Sequence, residues 1–140
     1  MDTIFIKTHQ PGAHYAKPHF FVLSKGLNSG KPSNEPFTNS FVLVFQTEAQ
    51  KEDIFWIAMS LWKSKFWHIY LKGSVIPFIT LYDFKKEFNP RATRMMREHE
   101  QHLKNIKALK LLQEQENHFN KNLHLINELK NAIMMRYRNK

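Results

Sequence analysis

The sequence contains no cysteine, few glycines and no long apolar run. Without cysteine the chain can form neither a disulfide nor a thiolate nucleophile nor a cysteine zinc site. No stretch approaches the roughly 18 uncharged apolar residues that a membrane span requires. The N-terminus has an early acid, Asp2, and too short an apolar run for a signal peptide. These absences predict a soluble cytoplasmic protein.

Catalytic motifs are also lacking. The chain has no serine elbow, and HEQH at residues 99–102 is one residue shorter than the zinc motif with histidines four apart. We therefore predict no catalytic residue, no metal and no cofactor. An enzyme is the alternative class, and it requires a pocket between the sheet and the aromatic helix, with Lys25, His68 and Tyr70 as its polar groups.

Apolar residues and positive charge are abundant. Of the 140 residues, 42% are hydrophobic and 14% aromatic, which predicts a folded chain rather than a disordered one. Its length suits one domain. Lysines and arginines exceed acidic residues by nine, so the protein attracts polyanions.

The segment from Ile54 to Phe78 holds all three tryptophans and is the predicted interior of the fold. Thr47 and Gln50 form a capping-box pattern ahead of a predicted helix at 54–67. Trp56 and Trp67 fall on its polar stripe, where they are candidates for stacking on a ligand. The favoured alternative makes them covers over the core.

Alternating and β-branched segments predict strands at 3–8, 19–24 and 41–47. Residues 74–79 are predicted to form a short buried strand or extended segment, in which Pro77 favours an edge or irregular piece. Strands first and helices after are typical of the α+β class. We predict a small, mostly antiparallel sheet covered by the aromatic helix, with an α+β core at 1–88 and a helical C-terminal region at 89–140.

The connector from Lys25 to Pro36 is rich in glycine, lysine and small polar residues. It departs from a P-loop because Pro32 replaces the Ser or Thr that binds magnesium. Its backbone amides can still form a small anion site, and turn geometry is the alternative reason for its glycines. The candidate ligand residues in this connector are Lys25, Asn28, Ser29, Gly30 and Lys31.

Three segments together carry a resemblance: HFFVLSKGLNSGKP, NSFVLVF and SLWKSKFWHIYLKGSVIPFI. They resemble a family of small bacterial proteins known only as a domain of unknown function. The resemblance covers residues 17–88 and implies no activity, ligand or catalytic residue.

Residues 91–137 contain neither glycine nor proline and favour helix throughout. Thr80 and Asp83 predict a capping-box-like start to a short helix that runs through Phe88. Asn89 and Pro90 are predicted to start the next helix. The favoured prediction is a helical hairpin that bends at 117–122, where asparagines lower helix propensity. The alternative is one long helix that dimerises through apolar residues seven apart, namely Leu112, Phe119, Ile126 and Ile133.

Four basic residues lie on one predicted helical face and are candidates for contact with phosphates: Arg94, Arg97, Lys104 and Lys107. A solvated helix face is the alternative interpretation. The predicted function is a non-catalytic basic accessory or interaction module that binds protein or nucleic acid. An oligomeric structural scaffold is a further alternative.

Overall fold

The structure is a computed structural model that describes residues 4–139, apart from the side chain of His99. Within these residues the strands are β1 (Phe5–Thr8), β2 (His19–Leu23), β3 (Pro32–Ser33) and β4 (Ser40–Val44). The helices are α1 (Glu48–Lys63), α2 (Leu81–Arg97) and α3 (His99–Arg138), with a short 3₁₀ turn at Phe66–Tyr70 between α1 and α2.

The four strands form one antiparallel sheet in the order β1, β4, β2, β3. The α+β class and the antiparallel sheet are therefore confirmed. Strands β1 and β2 fall within the predicted segments, although Thr3 lies outside the described residues. Strand β4 begins one residue before its predicted segment and ends at Val44 rather than at 47. The sequence did not predict β3, because its two residues include a proline, which cannot donate to a ladder.

The central strands are buried on both faces, which explains their unbroken apolar sequences. One face of the sheet carries Phe20 and Leu43 into the main core, where α1 and α2 also contribute side chains. On the opposite face Phe21 packs its ring edge against His9, whose Nδ1 lies 2.9 Å from the Tyr15 hydroxyl. The loop at 9–18 thus covers the second face.

Helix α1 begins where the capping pattern predicts. The Thr47 hydroxyl accepts a hydrogen bond from the Gln50 amide at 3.2 Å. The helix ends at Lys63 rather than 67, because Lys65 adopts a left-handed conformation with φ of 60°. Trp67 consequently lies in the 3₁₀ turn and is fully buried.

Helix α2 corrects the predicted start at Asn89 and Pro90. It begins after Thr80, whose hydroxyl accepts from the Asp83 amide at 3.1 Å, and it continues through Pro90 to Arg97. The buried side chains of Phe84 and Phe88 before the proline and Ala92 after it share the core. This packing keeps the helix continuous across a residue that usually ends one.

Helix α3 runs without a break through 117–122, so the favoured hairpin bend is wrong and the long helix is what the structure contains. Asparagine lowers helix propensity by only a few tenths of a kcal/mol, and neither glycine nor proline interrupts the segment. The chain divides into two compact units, one ending at His102 and the other beginning at Leu103.

Residues 74–79 form an irregular piece, which is one of the forms that the sequence predicts, but they are not covered as expected. Lys72 and Phe78 exchange backbone hydrogen bonds at 2.8 and 2.9 Å around the turn that contains this segment. Val75 and Ile76 are exposed, and only Ile79 is buried. An apolar sequence flanked by glycine and proline therefore marks a turn here.

Candidate interaction surface

The second unit displays an uncovered apolar helix surface. Every described residue from 111 to 139 is exposed. Six large side chains lie on one stripe of α3 with alternating spacings of three, four and seven residues, and each is more than half exposed. These residues, which we name the seam, are Leu112, Phe119, Leu123, Ile126, Ile133 and Tyr137.

The seam follows the two apolar positions of a heptad repeat. Leu123 and Tyr137 occupy the first of these positions, which in α3 also includes Glu116 and Lys130. The remaining four seam residues occupy the second position. The seam is thus interrupted by one acidic and one basic side chain, each seven residues from Leu123.

Polar side chains of α3 pair with one another along the helix. Gln113 donates to Asn117 at 3.0 Å, His124 lies 3.0 Å from Glu128, and Asn122 lies 3.4 Å from His118. The His118 ring also contacts the seam at Phe119, with ring centroids 6.2 Å apart. These contacts leave every seam residue more than half exposed.

In the first unit, the amides of the predicted anion loop are used within the fold. The Gly26 amide donates to Pro77 at 2.6 Å, that of Ser29 to Gly26 at 3.1 Å, and that of Lys31 to Asn28 at 3.0 Å. The Gly30 amide likewise donates to a β2 carbonyl at 2.7 Å. The loop geometry agrees with a turn function, and ligand binding there stays a prediction.

Two of the candidate loop residues support the aromatic core. Ser29 is buried, and its hydroxyl donates to the Gly26 carbonyl at 2.6 Å. Gly30 lies against the indole of Trp67, so that a Cβ there would be 2.1 Å from Trp67 Cδ1. Lys25 and Asn28 are exposed on the same loop.

The two candidate tryptophans have different environments. Trp67 is 1% exposed and stacks on Phe84 with ring centroids 5.0 Å apart, as the favoured interpretation expects. Trp56 is partly exposed and lines a polar groove beside Asn34. Lys31 reaches Trp62 instead, with Nζ 5.3 Å from its ring centroid.

The four candidate phosphate-binding residues are all exposed but belong to two helices. Arg94 and Arg97 lie in the last turn of α2, whereas Lys104 and Lys107 follow the start of α3. The break at Glu98 was not expected from the sequence.

His102 of the HEQH segment is buried and donates from Nε2 to the Asp53 carbonyl at 3.1 Å.

The polar groups proposed for an enzyme pocket differ in their environment. Lys25 and His68 are exposed, while Tyr70 is partly buried beside Glu87. Burial, followed by the hydrogen bond to Glu87, raises the pKa of the Tyr70 hydroxyl. Trp67 occupies the space next to it, with ring centroids 6.2 Å apart.

Lys72 and Asp83 form an ion pair at the start of α2. Lys72 Nζ lies 3.1 Å from Asp83 Oδ2. The hydrogen bond from Lys72 is the main reason that the pKa of the Asp83 carboxyl is lowered, with a smaller contribution from Thr80. A carboxylate held in its charged form in this way strengthens the helix start.

Sequence reasoning missed two apolar surfaces of the first unit. Leu27 and Val75 are exposed on neighbouring turns joined by the hydrogen bond from Gly26 to Pro77. A cavity of about 280 Å³ lies between α1 and α2, lined by Ile57, Ser60, Leu61, Arg91, Arg94, Met95 and Glu98. Neither was predictable, because each combines segments distant in sequence.

The fold and its surfaces define a class: an α+β domain followed by a long helix with an uncovered seam. Residues 6–136 match the model of a family of unknown function, DUF6943, and the chain belongs to that family. The comparison with curated proteins and the comparison with solved structures each gave no match. Among the described residues, none of the helices combines the length and apolar character that a bilayer crossing needs.

Proposed function

We propose that the protein is a non-catalytic interaction module that self-associates through the seam of α3. The observation that carries this proposal is the exposure of all six seam residues within a segment where every described residue is exposed. A second copy offers the same stripe with the same heptad spacing. Two such stripes are complementary in shape by knobs-into-holes packing.

A partner would add to the stability of the exposed segment. Most helical stability in proteins comes from packing an apolar face rather than from helix propensity. Pairing would remove apolar surface of all six seam side chains from water in each copy, which favours association.

Two neighbouring substitutions test the proposal. Ile126 lies on the seam and Leu125 lies off it, yet both are exposed, at 53% and 47%. We expect Ile126→Glu to raise the dimer dissociation constant at least 100-fold, since two charges enter the apolar interface of each pair. The matched control Leu125→Glu should change it less than about threefold, because exposed substitutions away from an interface have small effects.

Sedimentation equilibrium of the full chain over a wide concentration range provides the measurement. A wild-type chain that stays monomeric at high micromolar concentration contradicts the proposal, as does equal weakening by the two substitutions. Folding of the variants is checked by tryptophan fluorescence for the first unit and by far-ultraviolet circular dichroism for the helix content of α3.

Nucleic acid is the second candidate partner. The net charge of +9 and the exposure of Arg94, Arg97, Lys104 and Lys107 favour it. Adding a DNA or RNA duplex to the sedimentation experiment tests it, because such a complex must weaken steeply with rising salt. Binding that is absent, or independent of salt, removes this candidate. We assign both candidate functions to the cytoplasm, where a chain without cysteine needs no oxidising environment.

A further inference from the structure

The two charged residues that interrupt the seam, Glu116 and Lys130, favour one direction of pairing over the other. Glu116 and Lys130 occupy the same heptad position, two heptads apart. In a parallel pair in register, each would face its own copy, which places Glu against Glu and Lys against Lys at the interface. Like charges facing each other in this way destabilise the pair.

We infer that two copies pair antiparallel, with the two-fold axis passing between His124 and Leu125. This inference rests on the proposed function. The position of the axis follows from the part of α3 that is exposed. This part runs from Leu111 to the end of the helix at Arg138, so an axis at its midpoint lets the whole exposed part of one copy pack against that of the other.

In this register each first heptad position lies level with a second heptad position of the partner, as antiparallel knobs-into-holes packing requires. Leu123 lies level with the partner's Ile126, and Leu112 lies level with the partner's Tyr137. The two layers repeat on the other side of the axis by symmetry. The centre and both ends of the interface are therefore apolar.

The same register places the charged residues favourably. Lys130 lies level with the partner's Phe119, where its ammonium can rest on the ring face. The partner's Glu116 is three residues from that phenylalanine, about 4.5 Å along the axis, which a lysine side chain spans. Each pair thus contains two such Lys, Phe and Glu groups, related by the two-fold axis.

Charge exchange tests the direction of pairing. We expect Glu116→Lys and Lys130→Glu each to raise the dimer dissociation constant about tenfold, because each creates two like-charge contacts between copies. The double variant restores opposite charges and should return to within about threefold of the wild type. In a parallel pair, a single variant merely replaces one like-charge contact with another, so no rescue arises.

Distance measurements provide an independent test, because a chain without cysteine accepts single labels. Gln113→Cys and Asn127→Cys occupy equivalent heptad positions flanking the seam. In the antiparallel pair, spin labels at 113 are separated by about 35 Å along the axis and those at 127 by about 8 Å. A parallel pair gives the same short distance at both positions.

The possible results separate the inference from the proposed function. A long distance at 113, a short distance at 127 and rescue by the double variant support the antiparallel pair. Equal short distances, or no rescue, in a protein that still associates overturn the antiparallel pair and leave self-association intact. A strictly monomeric protein overturns both.

Discussion

At the scale of single residues, Gly30 controls how closely the connector approaches the aromatic core. Its φ of 100° is one that side-chain-bearing residues rarely adopt, and its missing side chain leaves room for the Trp67 indole. Gly26 has a similar φ of 103°, but nothing lies within 4 Å of the site where its Cβ would be. A substitution at Gly26 therefore introduces backbone strain alone, whereas one at Gly30 adds crowding against Trp67.

We expect Gly30→Ala to lower the free energy of unfolding by about 2–4 kcal/mol, since backbone strain of about 1–2 kcal/mol adds to overpacking against Trp67. Gly26→Ala, the matched control, should cost only the strain. Urea denaturation followed by tryptophan fluorescence measures both values. Equal losses would show that the indole moves aside freely and that the contact does not restrain the loop.

The same contact shows why part of this region was predictable and part was not. The burial of Trp67 follows from its aromatic neighbours and from an early end to α1, so the favoured interpretation was correct. Its partner Gly30 is 37 positions away in sequence, and glycine carries no pattern that identifies what lies beside it. Local capping signals at Thr47 and Thr80 were recognisable because both partners lie within one turn.

At the scale of elements, Pro90 inside α2 is a departure from helix rules. Proline lacks the amide that would donate to the Lys86 carbonyl, yet α2 continues past it. Close by, the Arg91 guanidinium donates to the Glu87 carbonyl at 2.9 Å and to its carboxylate at 3.0 Å. These bonds strengthen the turn that the proline weakens.

We expect Pro90→Ala to raise the free energy of unfolding by about 1–2 kcal/mol. The substitution restores a helical hydrogen bond and good helix propensity. Part of that gain is lost because alanine gives the unfolded chain more conformational entropy than proline does. Pro90 is exposed, so its removal leaves no cavity. Thermal unfolding measures the effect, with exposed Lys85→Ala in the same helix as a control for propensity alone. Destabilisation by Pro90→Ala would mean that the packing of α2 requires a bend at this position.

The sequence pattern of α3 does not predict whether its apolar residues are covered. The seven-residue spacing of its apolar residues was visible in the sequence, but the same spacing suits a hairpin packed on itself and a helix left open. The unbroken helix and the exposure of the seam in the structure separate the two. The exposure of the stripe is thus a structural finding, although the heptad spacing of its residues is visible in the sequence.

At the scale of the whole molecule, the two units carry separate spectroscopic signals. The three tryptophans, Trp56, Trp62 and Trp67, all lie in the first unit, so their fluorescence reports the α+β fold alone. Far-ultraviolet circular dichroism reports helix in both units, and α3 supplies 40 helical residues. Comparing the two signals therefore reveals whether the long helix depends on association.

We expect a 100-fold dilution to lower the melting temperature of the circular dichroism signal by several degrees, because a helix stabilised by a second copy loses that stabilisation by mass action. Tryptophan fluorescence should shift less, since the core around Phe84 and Phe88 is complete within one chain. The melting temperature of Ile126→Glu should equal that of the diluted wild type and should not change with concentration. The melting temperature of Leu125→Glu should depend on concentration as that of the wild type does. A helical signal that ignores dilution in the wild type contradicts self-association through α3. In that case the helix would be stable without a second copy, and the exposed seam would no longer require one.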